Sequence, residues 1–160
     1  MEILKKPIVE NCVWKVSDFK DENEWTYHFS DDEILELENA ASQIIKKNLA
    51  PTSFSKKDFV LNKLENVLSD QLDILQQGRG FIRLRGIQPE KYDELTLQTI
   101  YWGVCSHFGS GIPQNSKGEL MSGVKDYGDK LKSDNPYREG IRLHRTTAKI
   151  DAHTDSCDHV

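Results

Sequence analysis

The 160 residues contain three cysteines, Cys12, Cys105 and Cys157, and no Cys-x-x-Cys pair. That excludes a disulfide scaffold and a paired-cysteine zinc module, and it makes a reducing cytosol the simplest compartment. No apolar run approaches the length of a membrane span. The start, MEILKKPIVENCVW, carries two lysines but no apolar core and no small-residue cleavage site, so no signal peptide is expected. Basic excess is missing too. Twenty-one Lys and Arg face 26 Asp and Glu, a net charge of −5, which argues against a nucleic-acid binder. There is no repeat and no low-complexity tract. The composition fits neither a collagen nor a coiled coil. What remains is a chain of one domain's size, 37% hydrophobic and 29% charged, with three Trp and six Phe that must pack somewhere.

Residues 1–29 read as an N-terminal arm. Trp14, Phe19, Trp25, Tyr27 and Phe29 are spaced to pin it to the body by their rings. Ser30-Asp31-Asp32-Glu33 is a capping box. Leu37, Ala41, Ile44 and Ile45 continue it at helical spacing, and Pro51 closes the segment. A second helix is expected from about Lys56 to Gln77, with Leu61, Leu64, Val67, Leu68, Leu72 and Leu75 as its stripe and Gly78 after its end. The alternating run Gly80–Gly86 has a strand's signature. A third helix is expected from Tyr92 to Phe108, with Leu95, Thr99, Trp102 and Cys105 on its packed face. Glu119–Val124 and Ile141–Ala152 could be strands, and Asp126–Gly140 is turn-rich. Helices and one strand followed by strands and loops make the fold class α+β, with helices packed outside a sheet.

The sharpest chemical feature is His153-Thr154-Asp155. In an extended chain, side chains two apart share a face, so the imidazole and the carboxylate converge on one point. That pair opens a two-His-one-carboxylate facial triad, which leaves metal positions open to substrate and oxygen. Taken alone, the tripeptide reads more readily as a polar turn, with Asp155 or Thr154 as a cap. A His/Asp/Cys cluster with Cys157 would be a zinc alternative. Gln114 and Asn115 follow Pro113 on a loop and could hydrogen-bond a polar substrate or simply shape the turn. Arg145, beside Arg142, Thr146 and Thr147 just upstream of the motif, could grip an anionic substrate. His107 suits the negative end of a helix dipole and reads as structural.

Several ordered blocks carry a family resemblance. Gly103-Val104-Cys105-Ser106-His107-Phe108-Gly109 is followed by Ile112-Pro113-Gln114-Asn115-Ser116-Lys117-Gly118-Glu119-Leu120. Gly78-Arg79-Gly80-Phe81 with Leu84-Arg85-Gly86 precedes them. Val124-Lys125-Asp126-Tyr127-Gly128 and His153-Thr154-Asp155-Ser156-Cys157-Asp158 come after. From about Trp14 to the last residue the sequence resembles taurine-dioxygenase-like (TauD/TfdA) proteins, of the clavaminate-synthase-like group. The resemblance implies a double-stranded β-helix, a jelly-roll barrel with helices packed outside. It implies Fe(II) and 2-oxoglutarate as cofactor and co-substrate, with O2 as oxidant, acting on an unactivated C–H bond of a small molecule. His153 and Asp155 would be metal ligands. Gln114, Asn115 and Arg145 would lie towards the substrate.

The family's third ligand, a second His, and the Arg that pairs with the co-substrate both fall beyond position 160. The expectation is therefore residues 30–160 as the N-terminal part of a single oxygenase domain, with the barrel incomplete and no catalytic residue besides the metal ligands. The alternative is a non-catalytic fragment or interaction subunit. It would need a complementing chain, or self-association through an open sheet edge.

Overall fold

The computed structural model describes residues 6, 7, 9–114, 117–123, 126 and 128. The chain divides into two units, residues 1–111 and 112–160. All described helices and strands lie in the first unit.

Strand β1, Thr26–His28, leads directly into helix α1, Asp31–Lys46. The expected capping box forms. Glu33 Oε2 accepts from the Ser30 backbone N–H at 2.8 Å and from the Ser30 hydroxyl at 2.9 Å. In return, Ser30 Oγ accepts from the Glu33 N–H at 3.4 Å. Asp31, Asp32 and Glu33 sit in the first turn, where the helix dipole favours them. α1 buries Leu37, Ala40, Ala41 and Ile44, a stripe at helical spacing.

Helix α2 spans Lys63–Gln77 and starts seven residues later than its sequence suggests. The cause lies in the preceding turn. The Ser55 N–H and hydroxyl both donate to Asp58 Oδ2 at 3.0 Å, which imitates a helix start. The chain then extends so that Phe59 and Leu61, two apart, both enter the core. That spacing suits an extended backbone and not a helix. The Asn62 N–H, at the head of α2, donates to the Glu36 carboxylate of α1 and ties the two helices.

Strand β2, Arg83–Arg85, is shorter than the Gly80–Gly86 run and pairs parallel with β1. The register is Thr26 to Arg83, Tyr27 to Leu84 and His28 to Arg85. A parallel pair needs a long crossover, and α1 and α2 supply it. Residues 26–28, read from the sequence as irregular arm, are thus a strand. The rest of the N-terminal segment is held by rings. Phe81 lies 4.9 Å from Trp14 and 5.6 Å from Phe19, and Phe19 lies 5.1 Å edge-on to Trp25. The Trp14 indole N–H donates to the Arg79 carbonyl at 2.9 Å.

Helix α3, Glu94–Phe108, is capped by Asp93, whose carboxylate accepts from the Thr96 N–H at 2.7 Å. Its buried residues are Thr99, Ile100, Gly103 and Val104. The packed face is therefore rotated from the one read in the sequence, and Leu95 is 46% exposed. Gly103 is the reason. Without a side chain there, α3 settles onto the Phe59 ring. A Cβ at this position would lie 2.5 Å from the ring atoms. Phe59 in turn stacks on Phe54, with centroids 5.9 Å apart and planes 16° apart. Around this pair, Leu37, Ala41, Ile44, Leu64, Leu68 and Ile100 complete one core.

The α+β class holds, with helices against a small two-stranded sheet. In the second unit, residues 119–123 do not form the expected strand. Ile141–Ala152 lies outside the described residues. No described helix is long and apolar enough to cross a membrane.

Candidate active-site region

Helix α3 ends at Phe108, where the Gly109 N–H closes on the Cys105 carbonyl at 3.1 Å. The end of the helix is fixed by two side chains. The Trp102 indole N–H donates to the Phe54 carbonyl at 2.9 Å. His107 Nε2 lies 3.1 Å from the Phe59 carbonyl. A carbonyl only accepts, so Nε2 carries the proton and His107 is a structural clamp. Both contacts run from α3 to the Phe54–Phe59 segment. A cleft of about 420 Å³ lies beside this clamp, walled by Phe54, Trp102 and Phe108 with Lys56 and Ser110 among its lining. Gly111 crosses the edge of the Trp102 indole so closely that a methyl group there would overlap the ring.

Beyond Gly111, Gln114 folds its own loop. Its backbone N–H donates to the Glu119 carbonyl at 2.7 Å. Its side-chain N–H donates to the Ile112 carbonyl at 3.1 Å. One of the two amide N–H donors is thus used within the loop, while Oε1, an acceptor, has no partner among the described residues. Gln114 is exposed. Of the candidate metal- and substrate-binding residues, Gln114 alone is described. Asn115, Arg145, His153 and Asp155 lie outside the described residues, as does Cys157.

Among the described residues, no group of three or more His, Cys, Asp or Glu could hold a metal ion. Nor do they offer an activated thiol. Burial pushes the Cys105 thiol up, against a smaller opposite effect of its hydrogen bond with Tyr101. It stays protonated and unreactive at neutral pH. Cys12 is exposed. Glu33 is held below the usual carboxylate range; burial opposes its charge, and hydrogen bonds from Tyr27 and Ser30 outweigh that. Its contacts are those of a helix cap, not of a general base.

Comparison with known proteins bears on what this region serves. No protein-family model matches the chain. FR-33289 synthase of Streptomyces rubellomurinus is 28% identical over 159 residues, which is 99% of this chain and 45% of the relative. A taurine hydroxylase-like protein, SAT17 of Stachybotrys chartarum, is 26% identical over 149 residues, 91% of this chain and 38% of the relative. The chain is similar to taurine-dioxygenase-like proteins. That similarity covers nearly every residue, and the resemblance to that family is borne out. The chain spans less than half the length of either relative.

Sequence reasoning missed the pairing of Trp102 with Gly111. A signal was present, because an indole packed in a core needs an acceptor for its N–H and a Gly-x-Gly sequence follows the helix. Nothing in the sequence said which carbonyl would serve.

Proposed function

We propose that this chain is the N-terminal part of an Fe(II)- and 2-oxoglutarate-dependent dioxygenase, which oxidises an unactivated C–H bond of a small molecule. The observation that carries the reading is similarity to FR-33289 synthase across 99% of the chain, with His153 and Asp155 inside the matched stretch. One imidazole and one carboxylate are the donor types that suit Fe(II) in a facial triad, so the donor chemistry fits the metal. With O2 and 2-oxoglutarate, the bound iron would supply the oxidising power that no side chain has.

The chain's own residues would do the rest. His153 and Asp155 would hold the metal. Gln114 offers its amide oxygen to a donor group of the substrate. Asn115 adds a second hydrogen-bonding side chain, and Arg145 pairs with an anionic group by its guanidinium fork. In this reading residues 30–160 belong to a single oxygenase domain of jelly-roll type. A cytoplasmic setting agrees with a sequence that has three cysteines and no Cys-x-x-Cys pair, and with Fe(II) chemistry. A further His and an Arg complete the site, from sequence beyond position 160 or from a complementing chain.

The test uses the full-length native protein. Purified without metal and supplied with Fe(II), 2-oxoglutarate, O2 and ascorbate as reductant in place of a substrate, it should convert 2-oxoglutarate to succinate and CO2, and His153→Ala and Asp155→Ala should abolish that conversion. Conversion that survives both substitutions would defeat the reading. A non-catalytic subunit would instead show no conversion at all in the wild type.

A further inference from the structure

Residues 9–25 are attached to the rest of the first unit mainly by side chains. Among the described residues, the backbone hydrogen bonds of residues 10–24 close within the segment, from Val13 to Glu10, Asp18 to Lys15, Phe19 to Val16 and Glu24 to Asp21. A backbone bond to the body comes at the far end, where the Arg83 N–H donates to the Trp25 carbonyl at 2.9 Å. None of residues 9–28 is buried. At one end the Asn11 side-chain N–H donates to the Gln77 carbonyl at 3.1 Å, and the Trp14 indole N–H to the Arg79 carbonyl at 2.9 Å. In the middle, the Trp14, Phe19 and Trp25 rings gather around Phe81, with centroids 4.9, 5.6 and 6.3 Å from it. At the other end the Glu22 carboxylate lies 2.7 Å from Arg83 and 3.5 Å from Arg85.

These contacts finish what α2 and β2 leave open. The last turn of α2 has no basic residue, and Gly78, at φ of −100°, does not adopt the left-handed conformation that commonly closes a helix. The carbonyl of Gln77, the last residue of α2, lacks an intrahelical partner, and Asn11 supplies one. Leu84 packs on the core, so Arg83 and Arg85 on either side of it share the opposite face of the sheet. Glu22 meets them there.

We propose that residues 9–25 are a strap that opens and closes as one unit while the core stays folded. Closed, it caps α2, covers the Phe81 ring and keeps Arg83 and Arg85 paired. Open, it bares a basic and aromatic face in one event. A segment with no buried residue and few backbone bonds to its surroundings belongs to the low-stability end of a fold. Trp14 packs on Phe19 at 5.5 Å and Phe19 on Trp25 at 5.1 Å, so the two ends are linked and release together.

Hydrogen exchange of the full-length protein tests this, read by mass spectrometry in peptides covering residues 10–15, 16–25 and 74–79. Two variants perturb opposite ends. Trp14→Phe keeps a ring but removes the bond to Arg79, and should speed exchange about fivefold, the worth of one hydrogen bond. Glu22→Gln removes the charge facing both arginines, and should speed it about threefold, since exposed ion pairs are weak. In each variant the two strap peptides should speed up by the same factor. The Gly78 amide, bonded to the Ile74 carbonyl, should follow them, while α1 keeps its wild-type rate. Salt at about 1 M should bring the wild type to the Glu22→Gln rate and leave that variant unchanged, because screening acts on the pair. Acceleration confined to the substituted end overturns the single unit. Exchange of the strap and α1 at one common rate does the same, since the segment would then open only with the whole fold. An unchanged Gly78 amide overturns the capping of α2.

Discussion

Substituting Gly103 by alanine puts two effects of opposite sign against each other. Glycine inside a helix costs about 1 kcal/mol relative to alanine, so at an open site the change would stabilise α3 by that amount. Gly103 is not an open site. The new Cβ would lie 2.5–2.6 Å from three atoms of the Phe59 ring, far inside contact distance. Phe59 is fully buried and stacked on Phe54, so it has nowhere to swing. Overpacking of a close-packed core costs about 1–3 kcal/mol. The clash should win, and Gly103→Ala should lower stability by about 1 kcal/mol net. Gly109→Ala is the control. That site has open space and an extended backbone, with φ of 173°, so its effect should stay within about 0.5 kcal/mol. Urea unfolding followed by tryptophan fluorescence measures both. Phe59→Leu with Gly103→Ala closes a cycle, in which trimming the ring should recover about 1–2 kcal/mol of coupling. A Gly103→Ala protein more stable than the wild type, or a strictly additive cycle, would refute the packing argument.

The capping box gives a ranking by the same assay. Ser30→Ala should cost about 1 kcal/mol. Glu33→Ala should cost more, because that carboxylate accepts from the Ser30 N–H, the Ser30 hydroxyl and, at 2.6 Å, the Tyr27 hydroxyl. Alkaline pH tests the two tyrosine–carboxylate pairs. The Tyr27 phenol is pushed up to about 12 by its hydrogen bond to Glu33 and by burial, and the Tyr92 phenol to about 12 by burial and its bond to Glu38. A folded pKa above the unfolded value of 10.0 gives stability that is whole below pH 10 and lost as pH rises towards about 12. The Tyr27→Phe/Tyr92→Phe double variant should lose less stability over that window than the wild type does, as read by urea midpoints across pH.

Local signals translated well where one residue type had one job. Ser30 and Glu33 specify the start of α1 by themselves, and Gly80 and Gly86 bracket β2. The signals failed where tertiary packing overrode them. Ser55 and Asp58 form a capping turn, yet no helix follows, because Phe59 and Leu61 gain more from the core than from a further turn. α3 is apolar around most of its girth, so its pattern could not say which face packs. The choice was made by the absence of a side chain at Gly103, a feature that hydrophobic periodicity does not register. The partner of β1 was illegible for a related reason. A parallel pairing across more than fifty residues leaves no turn signal between its strands. For the candidate site, His153 and Asp155 rest on donor type and spacing in the sequence and lie outside the described residues. The Trp102–Gly111 contact was not legible, because it depends on where the end of α3 meets the following loop.

One titration bears most directly on the proposed chemistry. The full-length protein, held without oxygen, is titrated with Fe(II) in the presence of 2-oxoglutarate, and the visible charge-transfer absorption of the iron–2-oxoglutarate chelate is followed. One equivalent of the chelate should form per protein, and His153→Ala and Asp155→Ala should each weaken or abolish it, while Gly103→Ala leaves its stoichiometry unchanged. Absence of the band in the wild type, or its persistence at full strength in both ligand variants, would contradict the assignment of His153 and Asp155 to an iron site.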